Sequence, residues 1–140
     1  MNGHSVGAAA LLQANQAGSL LGFEWLRLQG EVVEGRSKIR KHHLAATGFL
    51  HAAIVVALAD SAAGFGCLNY LPERASGFTT AELKANFLGT SREGGVRCVA
   101  RLMHDGRTTQ VWDAEIMRET DDKAIALFRC TQILLYGGRA

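Results

Sequence analysis

Cysteine is scarce in this chain of 140 residues, and the three that are present, Cys67, Cys98 and Cys130, are far apart. Their odd number argues against a disulfide framework. The lack of a Cys-x-x-Cys pair excludes the usual zinc ribbons and dithiol redox centres. We therefore expect a reducing, cytoplasmic location and no metal site, and no other pattern in the sequence points to a cofactor.

Proline and net charge are equally limited: there is one proline, and 20% charged residues leave a formal net charge of +2. With 48% hydrophobic residues, the chain is neither disordered nor of low complexity, and its length suits a single domain over residues 1–140. A charge this small, without a basic patch or an aromatic platform, argues against nucleic-acid binding. The N-terminal apolar run lacks a basic flank and is too short to span a bilayer, so we expect neither export nor a membrane anchor.

One long apolar run stands out between Gly48 and Cys67, with the sequence GFLHAAIVVALADSAAGFGC. A helix that is apolar on nearly every side is typically enclosed by the rest of the protein. Its polar exceptions are His51, Asp60 and Ser61, and Asp60 near its middle would cost roughly 3 kcal/mol in a membrane. Burying a carboxylate is also costly in a soluble domain, so Asp60 either caps a neighbouring loop or takes part in chemistry.

Hydrophobic periodicity divides the rest of the chain into a short helix and several strands. The predicted helix runs from Ser5 to Ala17 and ends at Gly18. The predicted strands are Gly22–Gln29, Val32–His42, Phe78–Leu88, Gly94–His104, Thr108–Arg118 and Ala124–Tyr136. Strict alternation in the third of these places Leu83 and Phe87 on one face of the sheet and Thr80 and Glu82 on the other.

The connections between these strands decide the fold class. Asp105-Gly106 is a strong hairpin signal, and short hairpins favour antiparallel pairing. We predict an α+β fold, in which an antiparallel sheet of about five to six strands wraps around the long central helix, with a short N-terminal helix beside it. One helix covers only one face of such a sheet, so the other face or the edges require a partner subunit.

A set of short motifs extends this pattern along the chain. They are Gly48-Phe49-Leu50-His51, Ala57-Leu58-Ala59-Asp60, Thr80-Ala81-Glu82-Leu83, Gly106-Arg107 and Gln110-Val111-Trp112. Together they resemble the hotdog fold and, more narrowly, the PaaI-like and hydroxybenzoyl-CoA-type acyl-CoA thioesterases. The resemblance covers the chain from about Leu21 to Leu135. It implies hydrolysis of a medium-chain or aromatic acyl-CoA by a homo-oligomer, a dimer at least and by expectation a tetramer.

Thioester hydrolysis needs an activated nucleophile and donors for the oxyanion that develops on the carbonyl. The resemblance implies that Asp60 is the general base or the nucleophile and that the backbone N–H of Ala52 is the oxyanion donor. That N–H belongs to the first helical turn, which has no intrahelical acceptors and lies at the positive end of the helix dipole. His51 either polarises the carbonyl or braces the loop. Thr80 either helps to hold the attacking water, as in some relatives, or is an ordinary strand threonine.

For the CoA part of the substrate, the resemblance implies a nucleotide site at the surface, near an entrance between subunits. Arg92 and Arg107 lie in or beside predicted turns and are candidates for its phosphates. Both are equally interpretable as solvated turn residues. Gly48 belongs to the loop that leads into the oxyanion turn.

The spacing of His51 and Asp60 has a consequence for the site. The two residues are nine positions apart, which corresponds to about 180° around a helix and roughly 13 Å along it. One helix can hardly direct both at the same carbonyl. A shared site would need Asp60 from one subunit and the Ala52 turn from another, in agreement with the dimer-interface sites of the hotdog family.

Two positions differ from the family pattern. The family usually has two glycines after the histidine, where this chain has Ala52 and Ala53, and an asparagine where this chain has Ala45. These differences favour an alternative, a non-catalytic acyl-CoA-binding hotdog protein. A third alternative, a hotdog dehydratase or hydratase, lacks its characteristic motifs in this sequence.

Overall fold

The structure, a computed structural model, describes residues 16–137. Within these residues, two α-helices, one short 3-10 helix and six strands follow one another. They are α1 (Gln16–Leu21), β1 (Phe23–Gln29), β2 (Val32–Lys38), the 3-10 helix (Lys41–His43), α2 (Ala52–Asn69), β3 (Gly77–Phe87), β4 (Gly95–Asp105), β5 (Thr109–Arg118) and β6 (Ala124–Leu135). The strands form one antiparallel sheet in the order β1-β2-β4-β5-β6-β3, and α2 lies against one face of it, as predicted.

The start of α2 agrees with the prediction that Gly48 belongs to a loop and Ala52 to the first helical turn. Gly48 has a φ of +87°, a left-handed conformation that a helix cannot contain. The helix instead begins after His51, whose ring Nδ1 accepts a hydrogen bond of 3.0 Å from the Ala53 N–H. It ends two residues beyond Cys67, at Asn69.

The side of α2 that faces the sheet is closely packed. Leu58, Ala59 and Ala62 are at most 1% exposed. One turn further on, a side chain at Gly66 would collide with the fully buried ring of Trp112, so only glycine allows the helix to approach the sheet this closely. By length and composition α2 could cross a membrane, but half of it is buried within this chain.

The segments around α1 and β2 correct two predictions. Most of the predicted helix Ser5–Ala17 lies outside the described residues, and α1 runs through Gly18 rather than ending there. The predicted strand Val32–His42 stops at Lys38, because the buried ring of His43 is fixed on both sides. Its Nδ1 accepts a hydrogen bond from the Arg40 N–H, and its Nε2 lies 2.7 Å from the Leu21 carbonyl oxygen.

A β-bulge in β3 corrects the predicted face of Thr80. Thr80 pairs with Gln132 of β6, whereas Glu82 pairs with the adjacent Thr131, so Ala81 is an extra residue that shifts the alternation by one position. Gln132 is on the helix-facing side of β6, because that side carries the buried residues Ala126, Phe128, Cys130, Gln132 and Leu134. Thr80 therefore faces the helix side together with Leu83 and Phe87, not the opposite side with Glu82.

The strand β3 is an edge of the sheet that α2 covers only in part. Leu83 and Phe87 lie on the helix-facing side, yet they are 40% and 47% exposed. An edge strand also presents backbone N–H and C=O groups to any strand that can pair with it. The sheet therefore covers α2 on one side, whereas the side of α2 toward the β3 edge remains partly open.

Candidate active site

Asp60 lies in the third turn of α2, on the side that the sheet leaves partly open. Its neighbours at helical spacing, Val56, Ala57 and Gly64, are half-buried as it is. Burial raises the pKa of the Asp60 carboxyl. The pKa of the Cys130 thiol on β6 is raised by its own burial and, to a smaller extent, by the charge of Asp60. Within the part of the chain that the structure describes, the buried Oδ1 of Asp60 has no hydrogen-bond partner, so the carboxylate does not cap a neighbouring loop through this atom.

The first turn of α2 presents an unused donor. The N–H of Ala53 binds the His51 ring, and the N–H groups of Ile54 and Val55 bind the His51 carbonyl at 3.0 and 3.4 Å. No acceptor for the N–H of Ala52 lies among residues 16–137, and Ala52 is exposed. This N–H lies at the positive end of the helix dipole, where an anion is stabilised.

The same contact determines the tautomer of the neutral His51 ring. Because Nδ1 accepts a hydrogen bond from the Ala53 N–H, the neutral ring carries its proton on Nε2. His51 is exposed, so Nε2–H is available as a donor beside the Ala52 N–H. The turn thus has one backbone donor and one side-chain donor on adjacent exposed residues.

The Ala52 N–H and the Asp60 carboxylate are well separated within one chain. Ala52 lies eight residues before Asp60, which places them roughly 12 Å apart along the helix axis. Groups that act on one reacting atom lie within a few ångströms of it. These two candidate half-sites, one with His51 and Ala52 and one with Asp60, therefore cannot act on one atom within a single chain.

Thr80 is linked to the surroundings of Asp60 through two residues of β6. Its hydroxyl lies 2.7 Å from the amide oxygen of Gln132, and the amide nitrogen of Gln132 lies 3.4 Å from the Cys130 sulfur. Cys130 is the thiol that the Asp60 charge affects. Sequence reasoning missed Gln132, although a glutamine at a helix-facing position of β6 is the kind of buried polar residue that signals a specific contact.

Gly48 and Arg92 lie beside the other half-site. The positive φ of Gly48 closes a turn in which the Gly48 N–H donates to the Ala45 carbonyl at 2.9 Å. The Leu50 N–H donates to the Ser91 carbonyl at 2.9 Å, which joins this turn to the loop of Arg92. The Arg92 guanidinium lies 4.2 Å from the centre of the Phe49 ring, a cation–π contact that holds the side chain near the start of α2.

Arg107 is placed at the opposite end of the sheet. It follows β4, whereas Arg92 precedes it, and the 11 residues of β4 span roughly 30 Å. Its carbonyl accepts a hydrogen bond from the Tyr136 hydroxyl. The two arginines of one chain therefore cannot bind the same phosphate group.

Comparisons with known proteins agree with this architecture. The sequence profile described as the Thioesterase superfamily matches residues 47–125. The chain is 36% identical over 84 residues to a 1,4-dihydroxy-2-naphthoyl-CoA hydrolase of Listeria monocytogenes, covering 60% of this chain and 67% of that protein. It is 32% identical over 132 residues to a Pseudomonas aeruginosa protein named as an esterase, covering 91% of this chain and 88% of the relative.

A solved structure supports the fold independently. The Escherichia coli PaaI protein superposes with a TM-score of 0.82 over 94% of this chain and 93% of its own. At 22% identity, this likeness concerns the fold alone. The predicted family and fold class are confirmed: the chain belongs to the Thioesterase superfamily and is a hotdog-fold thioester hydrolase.

Proposed function

We propose that this protein hydrolyses an acyl-CoA thioester in a site that two subunits share. Asp60 of one subunit activates the water or attacks directly, and the Ala52 N–H of the other subunit receives the oxyanion. The observation that carries the proposal is the carboxylate of Asp60, which is partly buried on the open side of α2 with Oδ1 unpartnered among the described residues. The name of the Listeria relative, a CoA hydrolase, supports the choice of CoA as the leaving group.

In the general-base route, Asp60 takes a proton from water as the water oxygen bonds to the thioester carbonyl carbon. The raised pKa of Asp60 makes the ionised carboxylate a stronger base than an ordinary aspartate. The carbonyl oxygen becomes an oxyanion, and when it collapses the carbon–sulfur bond breaks. The proton on Asp60 then passes to the CoA sulfur, and the acid is released.

In the nucleophilic route, an Asp60 oxygen bonds to the carbonyl carbon and expels the CoA thiolate, which leaves a mixed anhydride. Water then hydrolyses the anhydride and restores the carboxylate. Both routes develop the same oxyanion, so both need the Ala52 N–H. Neither route uses a cofactor, because the CoA thioester and water supply every atom.

The oxyanion donors are those of the helix start. The Ala52 N–H is fixed by the backbone, so it costs no reorganisation when charge develops on the carbonyl oxygen. The Nε2–H of His51 is a second donor on the same turn. We assign His51 to the carbonyl rather than to the loop alone, because its Nδ1 already braces the turn while Nε2 remains outward.

Dimer formation follows from the edge strand. Pairing two β3 edges would satisfy their free backbone groups and cover Leu83 and Phe87, which this chain leaves exposed. It would also bring a second subunit to the open side of α2, where Asp60 lies. We expect two such dimers to associate into a tetramer, located in the cytoplasm, where the free thiols of Cys67, Cys98 and Cys130 would stay reduced.

We propose Arg92 as the contact for the CoA phosphates in the half-site of Ala52. Its loop is hydrogen-bonded to the oxyanion turn, and the Phe49 ring orders its side chain. Arg107 would reach the same ligand only from the other subunit. Gly48 shapes the turn and makes no contact through a side chain.

The acyl group that we favour is aromatic. Leu83 and Phe87 provide an exposed apolar wall on the same side of β3 as Thr80, and flat rings bind well to such surfaces. The Listeria relative is named for an aromatic acyl group. A medium-chain acyl group is the second substrate class that we propose.

The alternative of a non-catalytic acyl-CoA-binding protein rests on Ala45. This position carries no polar side chain, where the resemblance to the family implies an asparagine. The alternative predicts tight binding of acyl-CoA without turnover.

Release of free thiol from a panel of aromatic and medium-chain acyl-CoAs tests the proposal. We expect wild type to hydrolyse at least one of them and Asp60→Asn to lose about 10³-fold in kcat. Asp113→Asn is the matched control, because Asp113 forms an ion pair with Arg129 and is not part of the site. Equal rates for wild type and Asp60→Asn would contradict the proposal.

A further inference from the structure

Gln132 is a fully buried polar residue that the proposed chemistry does not yet use. Its side chain is 0% exposed, so its amide must find partners inside the protein. The neighbouring Gln110 is buried to the same degree, and its partners explain it: its amide nitrogen donates to the Tyr70 carbonyl, and its oxygen accepts from the Trp112 indole. Those partners belong to the core. Gln132 instead bonds to Thr80, an exposed residue beside the candidate site.

The direction of that hydrogen bond follows from the distances. The Thr80 hydroxyl oxygen and the Gln132 amide oxygen are 2.7 Å apart, and the Gln132 nitrogen lies 3.4 Å from the Cys130 sulfur. A separation of about 2.7 Å is typical of a hydroxyl donating to an oxygen, whereas an amide N–H to oxygen bond is commonly about 2.9 Å. Thr80 is therefore the donor and the Gln132 oxygen the acceptor.

This direction restricts what Thr80 can offer to a ligand. A threonine hydroxyl has one proton and two lone pairs. With its proton committed to Gln132, its oxygen can only accept hydrogen bonds from other groups. The Asp60 carboxylate is likewise an acceptor. Two acceptors hold both protons of one water molecule, which leaves a lone pair of that water free to attack a carbonyl carbon.

We propose that Gln132 is a positioning residue that fixes Thr80 as a hydrogen-bond acceptor for the attacking water. The inference rests on the proposed function and on its general-base route. The β-bulge at Ala81 is part of the arrangement, because it turns Thr80 to the helix side, opposite Gln132. Without Gln132, the Thr80 hydroxyl is free to rotate and to donate its proton to other acceptors, the water included, so that it no longer acts only as an acceptor.

A double-mutant cycle with Gln132→Met and Thr80→Val tests the proposal. We expect each single variant to lose about 10- to 100-fold in kcat, with little change in KM. The double variant should be no slower than Thr80→Val alone, because Gln132 acts only through the hydroxyl. Thr80→Ser keeps the hydroxyl and should retain most of the activity.

Two further variants separate positioning from stability. Gln110→Met removes an equally buried amide on the strand next to Gln132, and it should lower Tm while leaving kcat nearly unchanged. If Gln132→Met fails to fold, Gln132→Asn keeps the amide but withdraws it by one methylene, and it should show the same non-additive loss with Thr80→Val.

The outcomes distinguish the inference from the proposed function. A wild type without thioesterase activity would overturn both. A wild type that depends on Asp60 would overturn the inference alone if the Gln132 and Thr80 losses multiply in the double variant. A Gln132→Met variant that folds and keeps the wild-type kcat would also overturn the inference alone.

Discussion

The two sides of α2 differ in how closely they are packed and in whether their buried polar atoms have partners. On the sheet side, Gly66 touches the Trp112 ring, and the polar atoms around it are satisfied through Gln110 and Tyr70. On the other side, Asp60 keeps a buried oxygen without a partner in the described chain, and Leu83 nearby on β3 is exposed. The first side is a closely packed core, and the second side is the one that we propose to face a partner subunit. Substitutions on the first should change stability, and substitutions on the second should change catalysis.

The largest effect that separates stability from catalysis is expected for Ala52→Pro. Ala52 is the first residue of α2, a position that favours proline, and His51 before it has the extended conformation (φ −69°, ψ 133°) that proline requires. The substitution removes the Ala52 N–H and leaves the helix intact. We expect kcat to fall about 10²- to 10³-fold, measured by thiol release, with Tm unchanged.

Ala52→Gly is the matched control, because it keeps the N–H and changes only the side chain. It should retain most of the activity. Full activity in Ala52→Pro would mean that the oxyanion is bound elsewhere.

The converse effect is expected for Gly66→Ala. The new methyl group would collide with the Trp112 ring, so the free energy of unfolding should fall by about 1–3 kcal/mol in a denaturant titration. The kcat of the folded fraction should stay near that of wild type. A strong loss of kcat without a loss of stability would show that the two sides are not separable.

The smallest expected effect is the pH dependence that Asp60 gives to kcat/KM and to stability. Because burial raises the pKa of Asp60, kcat/KM should rise with pH through an apparent pKa above the usual aspartate value. The same shift means that the unfolded chain loses this proton at lower pH than the folded chain does. Stability from Asp60 is therefore present at acidic pH and is lost as the pH rises through its folded pKa.

Asp60→Asn should remove that loss, so its stability relative to wild type should increase as pH rises through this range. Parallel unfolding titrations at several pH values measure it. A wild-type stability that rises with pH relative to Asp60→Asn would contradict a raised pKa.

The contrast between the two sides explains what the sequence could predict. The existence of α2 and the cost of burying Asp60 could both be predicted from the apolar run, because both depend on composition alone. The position of Gly48 in a loop and of Ala52 in the first turn of α2 agrees with the sequence prediction, whereas the left-handed Gly48 and the His51 cap are set by the loop around them. The separation of Arg92 and Arg107 was already implied by the length of the strand between them.

The local sequence did not reveal the environment of Thr80. Strict alternation placed it with Glu82, and the bulge at Ala81 arises from how β3 pairs with β6. Gln132 was missed for the same reason, because the position of its partner depends on strand register rather than on any pattern within β6.

The most direct test of the shared site mixes two inactive subunits. Asp60→Asn and Ala52→Pro are purified, unfolded together and refolded in equal amounts, so that about half of the dimers are heterodimers. In each heterodimer, the Asp60 of one chain meets the intact Ala52 N–H of the other at one of the two sites. A site shared between subunits predicts recovery of about a quarter of wild-type thiol release, whereas a site within one chain predicts that the mixture stays as inactive as its components.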